Sequence, residues 1–206
     1  MVAMHETKEH RVRAGKESLA CSLDYQDASK RPTVIELHGA GPSNRSHTQY
    51  LSETFIKKGE NVVRFDFSGQ GESSGTMQES SLAKRHDEAI AIIKHFQIDT
   101  DNLTVIGTSM GGYIAASLAK IYPVKNLILF CPAAYDVTAW NVPFNGGFTD
   151  ILRRDLSLLK SNVPELLANF TGNSLLLWAE NDEIIPPLIV DMYESALSGK
   201  ANHATY

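Results

Sequence analysis

Ser109 sits in Gly107-Thr108-Ser109-Met110-Gly111, between an apolar run, Leu103 to Ile106, that reads as a strand and a helix-compatible run from Gly112 to Tyr122. A serine on a tight strand-to-helix turn is held in strained backbone that lifts its hydroxyl clear of the sheet. Glycines two residues to either side relieve the crowding between strand and helix. The same placement puts Ser109 at a helix N-terminus, where developing negative charge is favoured. Such a serine can attack a carbonyl if an acid, a base and amide donors for the oxyanion stand around it.

Candidates for two of those partners are present. Trp178-Ala-Glu-Asn-Asp-Glu-Ile-Ile-Pro closes the last strand-like run with acidic side chains, and Asp182 is the choice for the acid, with Glu180 and Glu183 as competitors whose bland role is a solvated turn. His38-Gly39-Ala40-Gly41 ends the first buried run, where flexible backbone can turn the Ala40 amide toward the serine. With the Met110 amide it would form an oxyanion hole. His38 itself reads as a hydrogen-bonded anchor of that loop rather than as a base. The loop Asp66-Phe-Ser-Gly-Gln-Gly-Glu-Ser offers Gly69 and Gly71 as a phosphate cradle, but it lacks the lysine and spacing of a P-loop, which argues against nucleotide binding.

The base is the gap. In the order Ser, Asp, His, the only histidine after Asp182 is His203. Pro187 to Leu197 reads as a helix capped near Gly199, and a last strand of about five residues, roughly 17 Å, must follow before a loop could present a histidine. His203 is therefore expected ahead of that strand, at the wrong end of the sheet. The catalytic histidine and the final strand are expected to be missing from this chain, which would make it an inactive, truncated form and leave the edge beside Leu175 unpaired. His86 and His95 are expected to face solvent, and His47 could line the pocket mouth without a role of its own.

The elements that must position these residues follow from periodicity. Residues from Arg11 to Tyr25 alternate loosely and suit two antiparallel edge strands turning near Gly15. Five short apolar runs, beginning at Thr33, Asn61, Leu103, Leu127 and Leu175, look like buried parallel strands. Helical patterns lie between them, clearest from Ser81 to Phe96, where Leu82, Ala89, Ile90, Ile93 and Phe96 recur at three- and four-residue spacing. Alternating strand and helix predicts an α/β fold: a mostly parallel sheet with helices on both faces. The stretch 135–173, with Trp, Pro and Gly-Gly, breaks the alternation and reads as a short lid.

Composition sets wider bounds. The 206 residues, 43% hydrophobic, suit one domain over 1–206. The net charge of -5 and the lack of a basic stripe argue against nucleic acid or an anionic membrane surface as partners. The polar N-terminus and the absence of a long apolar run point to the cytoplasm. Cys21 and Cys131 are read as two thiols. Nothing implies a cofactor or metal, and the oligomeric state is open.

The His38 loop, the DFSGQGES loop, GTSMG around Ser109 and the turn ending ENDEIIP, in that order from about Thr33 to Leu197, resemble the α/β-hydrolase superfamily, and within it the small esterases grouped with lysophospholipases, cinnamoyl esterases and serine aminopeptidases. The resemblance implies the α/β-hydrolase fold and, with serine rather than aspartate or cysteine at position 109, ester, thioester or amide cleavage through an acyl-enzyme. A carboxylic ester hydrolase for small or medium acyl substrates is the leading expectation. A peptidase or thioesterase on the same residues, and a non-catalytic binding module on a hydrolase scaffold, are the alternatives. Trp140, Phe144 and Phe148 would make an apolar acyl pocket in the lid.

Overall fold

The computed structural model describes residues 5–180, 182–199 and 203–205. An eight-stranded sheet runs through it in the order β1-β2-β4-β3-β5-β6-β7-β8. β1 (Glu6–Ala14) and β2 (Glu17–Tyr25) form an antiparallel hairpin whose turn uses Gly15 at φ +59, a backbone conformation that glycine adopts without a Cβ penalty. β2 also runs antiparallel to β4 (Val62–Phe65). From there the sheet is parallel through β3 (Val34–Leu37), β5 (Thr104–Thr108), β6 (Asn126–Phe130) and β7 (Asn173–Leu177). The five buried runs expected from the sequence are these five strands.

The central strands are buried on both faces, mostly by apolar side chains, with Glu36 and Arg64 as buried charged residues among them. Val34, Val62 and Ile106 face one small core under α1 (Gln49–Ile56), closed by Ile56. Their neighbours Ile35, Val63 and Val105 face the main core, with α2 (Leu82–His95), α3 (Met110–Ala119) and α6 (Pro187–Leu197). α2 starts where Ser81 accepts a hydrogen bond from the Lys84 amide at 3.1 Å, an N-cap that satisfies one of the free amides of the first turn. Between β6 and β7 the chain makes only short pieces, among them a kinked turn at Phe144–Phe148 with Gly147 at φ 94, α4 (Thr149–Leu152) and α5 (Val163–Leu167). They occupy the stretch read as a lid.

One expectation is corrected. A last strand is present: β8 (His203–Thr205) pairs in parallel with β7, with His203 opposite Ser174 and Thr205 opposite Leu176. It is three residues long and covers the edge beside Leu175 that was expected to be bare. It was missed because so short a strand after a helix cap carries no periodic signal. No helix among the described residues is long and apolar enough to cross a membrane, and both cysteines are free thiols.

Candidate active site

Ser109 joins β5 to α3 with φ 53 and ψ -117. A positive φ is costly for a residue with a side chain and persists only where its surroundings fix it. Three backbone bonds fix it here: the Ser109 amide donates to the Phe130 carbonyl at 2.9 Å, and its carbonyl accepts from the amides of Gly112 and Ala133, each at 2.9 Å. The flanking glycines are sterically required. A Cβ on Gly107 would lie 2.5 Å from the Gly111 carbonyl oxygen, and one on Gly111 would lie 2.2 Å from that of Leu37. Helix α3 can thus begin directly over the end of β3.

The loop after β3 passes against the serine. A Cβ on Gly39 would come within 3.3 Å of Ser109 Cβ and 3.9 Å of its Oγ, so Ala40 follows immediately beside the hydroxyl. The Ala40 amide has no acceptor among the described residues, and the Met110 amide is the first of its helix, a position without an intrahelical partner. His38 anchors this loop. Its Nε2 accepts from the Phe67 amide at 3.1 Å and its Nδ1 lies 2.8 Å from the Gly39 carbonyl, which fixes the neutral tautomer with the proton on Nδ1. Burial pushes its pKa down to about 4, so at neutral pH it carries one proton and both nitrogens are engaged. Gln70 Nε2 braces the same loop, donating to the Gly41 carbonyl at 2.7 Å.

The glycine-rich loop after β4 is packed around a carboxylate of its own. The Asp66 carboxylate, fully buried, accepts from the amides of Arg45 at 2.7 Å and Glu72 at 2.9 Å and pairs with the Arg45 guanidinium. A Cβ on Gly71 would meet that carboxylate at 2.2 Å, and one on Gly69 would meet the Met77 amide at 2.0 Å. These glycines allow close packing of the loop on itself.

Asp182 lies beyond the end of β7, with the strand β6 between it and Ser109. Two strand spacings amount to about 10 Å, room for an imidazole between hydroxyl and carboxylate. Asp182 Oδ1 accepts from the amides of Ile185 at 2.9 Å and Ile184 at 2.8 Å. These bonds hold its pKa below the ordinary carboxylate value, with a further contribution from the Cys131 thiol. Cys131 follows β6 with φ 40, between the two candidate residues. Glu180 and Glu183 are exposed, as a solvated turn requires. Farther back, Tyr193 of α6 donates its hydroxyl to the Ala133 carbonyl at 2.9 Å, tying α6 to the segment that pins Ser109.

No histidine among the described residues fills the gap. His38 is engaged in its loop, His47 and His95 are exposed, and His203 begins β8 opposite Ser174. Ser109 follows Thr108, which is level with Phe130 and Leu177, so His203 lies three strands sideways and about four residues down the sheet. From strand spacing and rise its backbone is about 19 Å from that of Ser109, beyond the reach of an imidazole. The expectation for His86 is corrected: it is half-buried, with Nδ1 2.7 Å from Ser117 Oγ of α3. The helical spacing placed it outside the apolar stripe, but α3 and the lid cover that side as well. Gln70 and Cys131 were not expected at the site: Cys131 was read only as a thiol, and neither a loop glutamine nor a strand-end cysteine signals a site until the strand ends converge.

Strand order, the turn at Ser109 and the placement of Asp182 define an α/β-hydrolase. The family model described as "Serine aminopeptidase, S33" matches residues 28–169, and the chain belongs to this family of hydrolases. A putative esterase/lipase of Mycoplasma genitalium is 30% identical over 130 residues, covering 63% of this chain and 48% of that protein. The mitochondrial palmitoyl-protein thioesterase ABHD10 of Rattus norvegicus is 29% identical over 110 residues, covering 52% of this chain and 36% of the relative. The chain thus spans less than half the length of these curated relatives. Among solved structures, a CIB-like hydrolase of Thermoplasma acidophilum superposes with a TM-score of 0.71 at 18% identity, covering 98% of this chain and 87% of that one.

Proposed function

We propose that the protein hydrolyses carboxylic esters of small or medium acyl substrates through an acyl-enzyme on Ser109. The observation that carries this reading is the Ser109 turn: a strained φ of 53 at the N-terminus of α3, pressed against the His38–Gly41 loop. In the proposed reaction Ser109 Oγ attacks the carbonyl carbon and gives its proton to an imidazole. The oxyanion is held by the Met110 and Ala40 amides, and the leaving alcohol takes the proton back. A water then repeats the sequence and releases the acid. Asp182, with one oxygen engaged by two backbone amides, orients the imidazole and stabilises its charged form. The imidazole itself comes from outside the described residues. Of the lid aromatics, Phe148, buried, and Phe144, half-buried, are kept as the apolar contacts of an acyl chain, whereas Trp140 packs edge-on against His86. We place the protein in the cytoplasm, a reading that two free thiols support.

Thioester or amide cleavage on the same residues is the second reading, favoured by the name of the family and of the rat relative. Turnover of p-nitrophenyl butyrate, the matching thioester and an aminoacyl anilide by the full-length protein separates the two. The proposal expects the oxygen ester to be fastest and Ser109→Ala to lose at least about a thousand-fold. Absence of Ser109-dependent turnover on all three substrates overturns both readings and favours a non-catalytic scaffold.

A further inference from the structure

Away from Ser109, α2, α3, α5 and residues 137–141 enclose a groove of about 380 Å³, within the range of small-molecule sites. Its walls are more apolar than polar, and no aspartate or glutamate lines it. Ile121 and Val137 stand on its rim with about half of their surface exposed, 52% and 47%, and Trp140 meets the His86 ring edge-on at 5.5 Å between centroids.

The polar inventory of the groove is specific. The Ser117 hydroxyl donates to the Ile114 carbonyl at 2.6 Å, so the hydrogen bond of 2.7 Å between Ser117 Oγ and His86 Nδ1 must be donated by the imidazole. His86 Nε2 is then an acceptor, and it has no partner among the described residues. Burial lowers the His86 pKa, which keeps this neutral form at pH 7. Lys120 donates its ammonium to Glu165 at 2.8 Å, and Asn162 Oδ1 accepts from the Tyr113 hydroxyl at 2.7 Å. An apolar slot with one half-buried acceptor at its wall suits a flat, neutral ligand that can donate a hydrogen bond. A carboxylate fits less well, because it cannot donate to Nε2 and the nearby ammonium is already paired.

We propose that this groove is a second ligand site, taking a small phenol whose hydroxyl donates to His86 Nε2 and whose ring lies among Trp140, Ile121 and Leu166. It is independent of any chemistry at Ser109. The chain has two tryptophans, so the indole N–H region of a ¹⁵N–¹H spectrum holds two signals, assigned with Trp178→Phe. On titration with phenol, the Trp140 signal moves to saturation while that of Trp178 stays in place. Anisole, which keeps the ring but cannot donate, binds about ten-fold more weakly, the worth of one hydrogen bond to a half-buried acceptor. His86→Phe weakens phenol by a similar factor. Ile121→Asp abolishes the shift, and because position 121 is exposed this variant keeps its fold even if His86→Phe does not. Equal affinity for anisole and phenol, an undiminished Trp140 shift in Ile121→Asp, or movement of the Trp178 signal alone overturns the proposal.

Discussion

Replacing Glu36 by glutamine isolates a carboxyl whose protonation is linked to folding. Glu36 lies on β3, two residues before His38, and is 1% exposed. Its Oε1 accepts from Ser52 Oγ at 3.1 Å, while its Oε2 has no hydrogen-bond partner among the described residues. Burial raises its pKa from the ordinary 4.5 to about 7, so the folded protein keeps a proton that the unfolded chain has lost. A raised folded-state pKa means that stability is fully present below pH 4.5, falls as the pH rises, and levels off above about pH 7. Integrated between pH 5 and pH 8, that linkage amounts to roughly 2–3 kcal/mol lost by the wild type. Glutamine has no proton to lose, so Glu36→Gln lacks this slope whatever its absolute stability. Urea unfolding followed by tryptophan fluorescence at pH 5, 6, 7 and 8 gives both curves. Their difference should open by roughly 2–3 kcal/mol over that range. Parallel curves would refute the argument and mean that Glu36 is ionised in the fold, neutralised by the Arg64 side chain nearby.

His38 supplies the opposite slope: its folded-state pKa is depressed to about 4, so its contribution is intact above pH 6.5 and is lost as the pH falls toward 4. In His38→Phe that acid-side slope disappears and the Phe67 amide is left without an acceptor, at a cost of about 1–3 kcal/mol, read from urea unfolding at pH 7. Ser81→Ala removes the cap of α2 and should cost about 1 kcal/mol by the same measurement. Gly111→Ala drives a methyl into the Leu37 carbonyl and should destabilise by at least about 3 kcal/mol, the upper end for overpacking; a well-folded variant of near wild-type stability would show that α3 can shift away from β3.

What could be read from the sequence divides along physical lines. The buried strands were legible because their cores are short runs of β-branched and aliphatic residues, as in Val34-Ile35 and Leu127-Ile128-Leu129, even where a charged residue such as Glu36 interrupts them. Helices α2 and α6 were legible through period and through their ends, Ser81 at one and Gly199 beyond the other. Ser109 was legible because its glycine neighbours answer to contacts of 2.2–2.5 Å that no other residue could survive. β8 was not legible, since three residues paired on an edge need no pattern of their own. Nor was the burial of His86, which depends on how α3 and the lid pack over α2. The placement of His203 at the far end of the sheet followed from strand length alone, and the register opposite Ser174 agrees with it.

On the proposed reading, Ser109 is a nucleophile that lacks an imidazole partner among the described residues. Reaction of the 206-residue chain with a fluorophosphonate, with and without added imidazole, tests it most directly when the labelled residue is mapped by mass spectrometry. Slow labelling at Ser109 that accelerates and saturates as imidazole is added, and none at that position in Ser109→Ala, is the expected result. Fast labelling of Ser109 without imidazole would show that a histidine already described activates it, and labelling elsewhere with Ser109 untouched would remove Ser109 as the nucleophile.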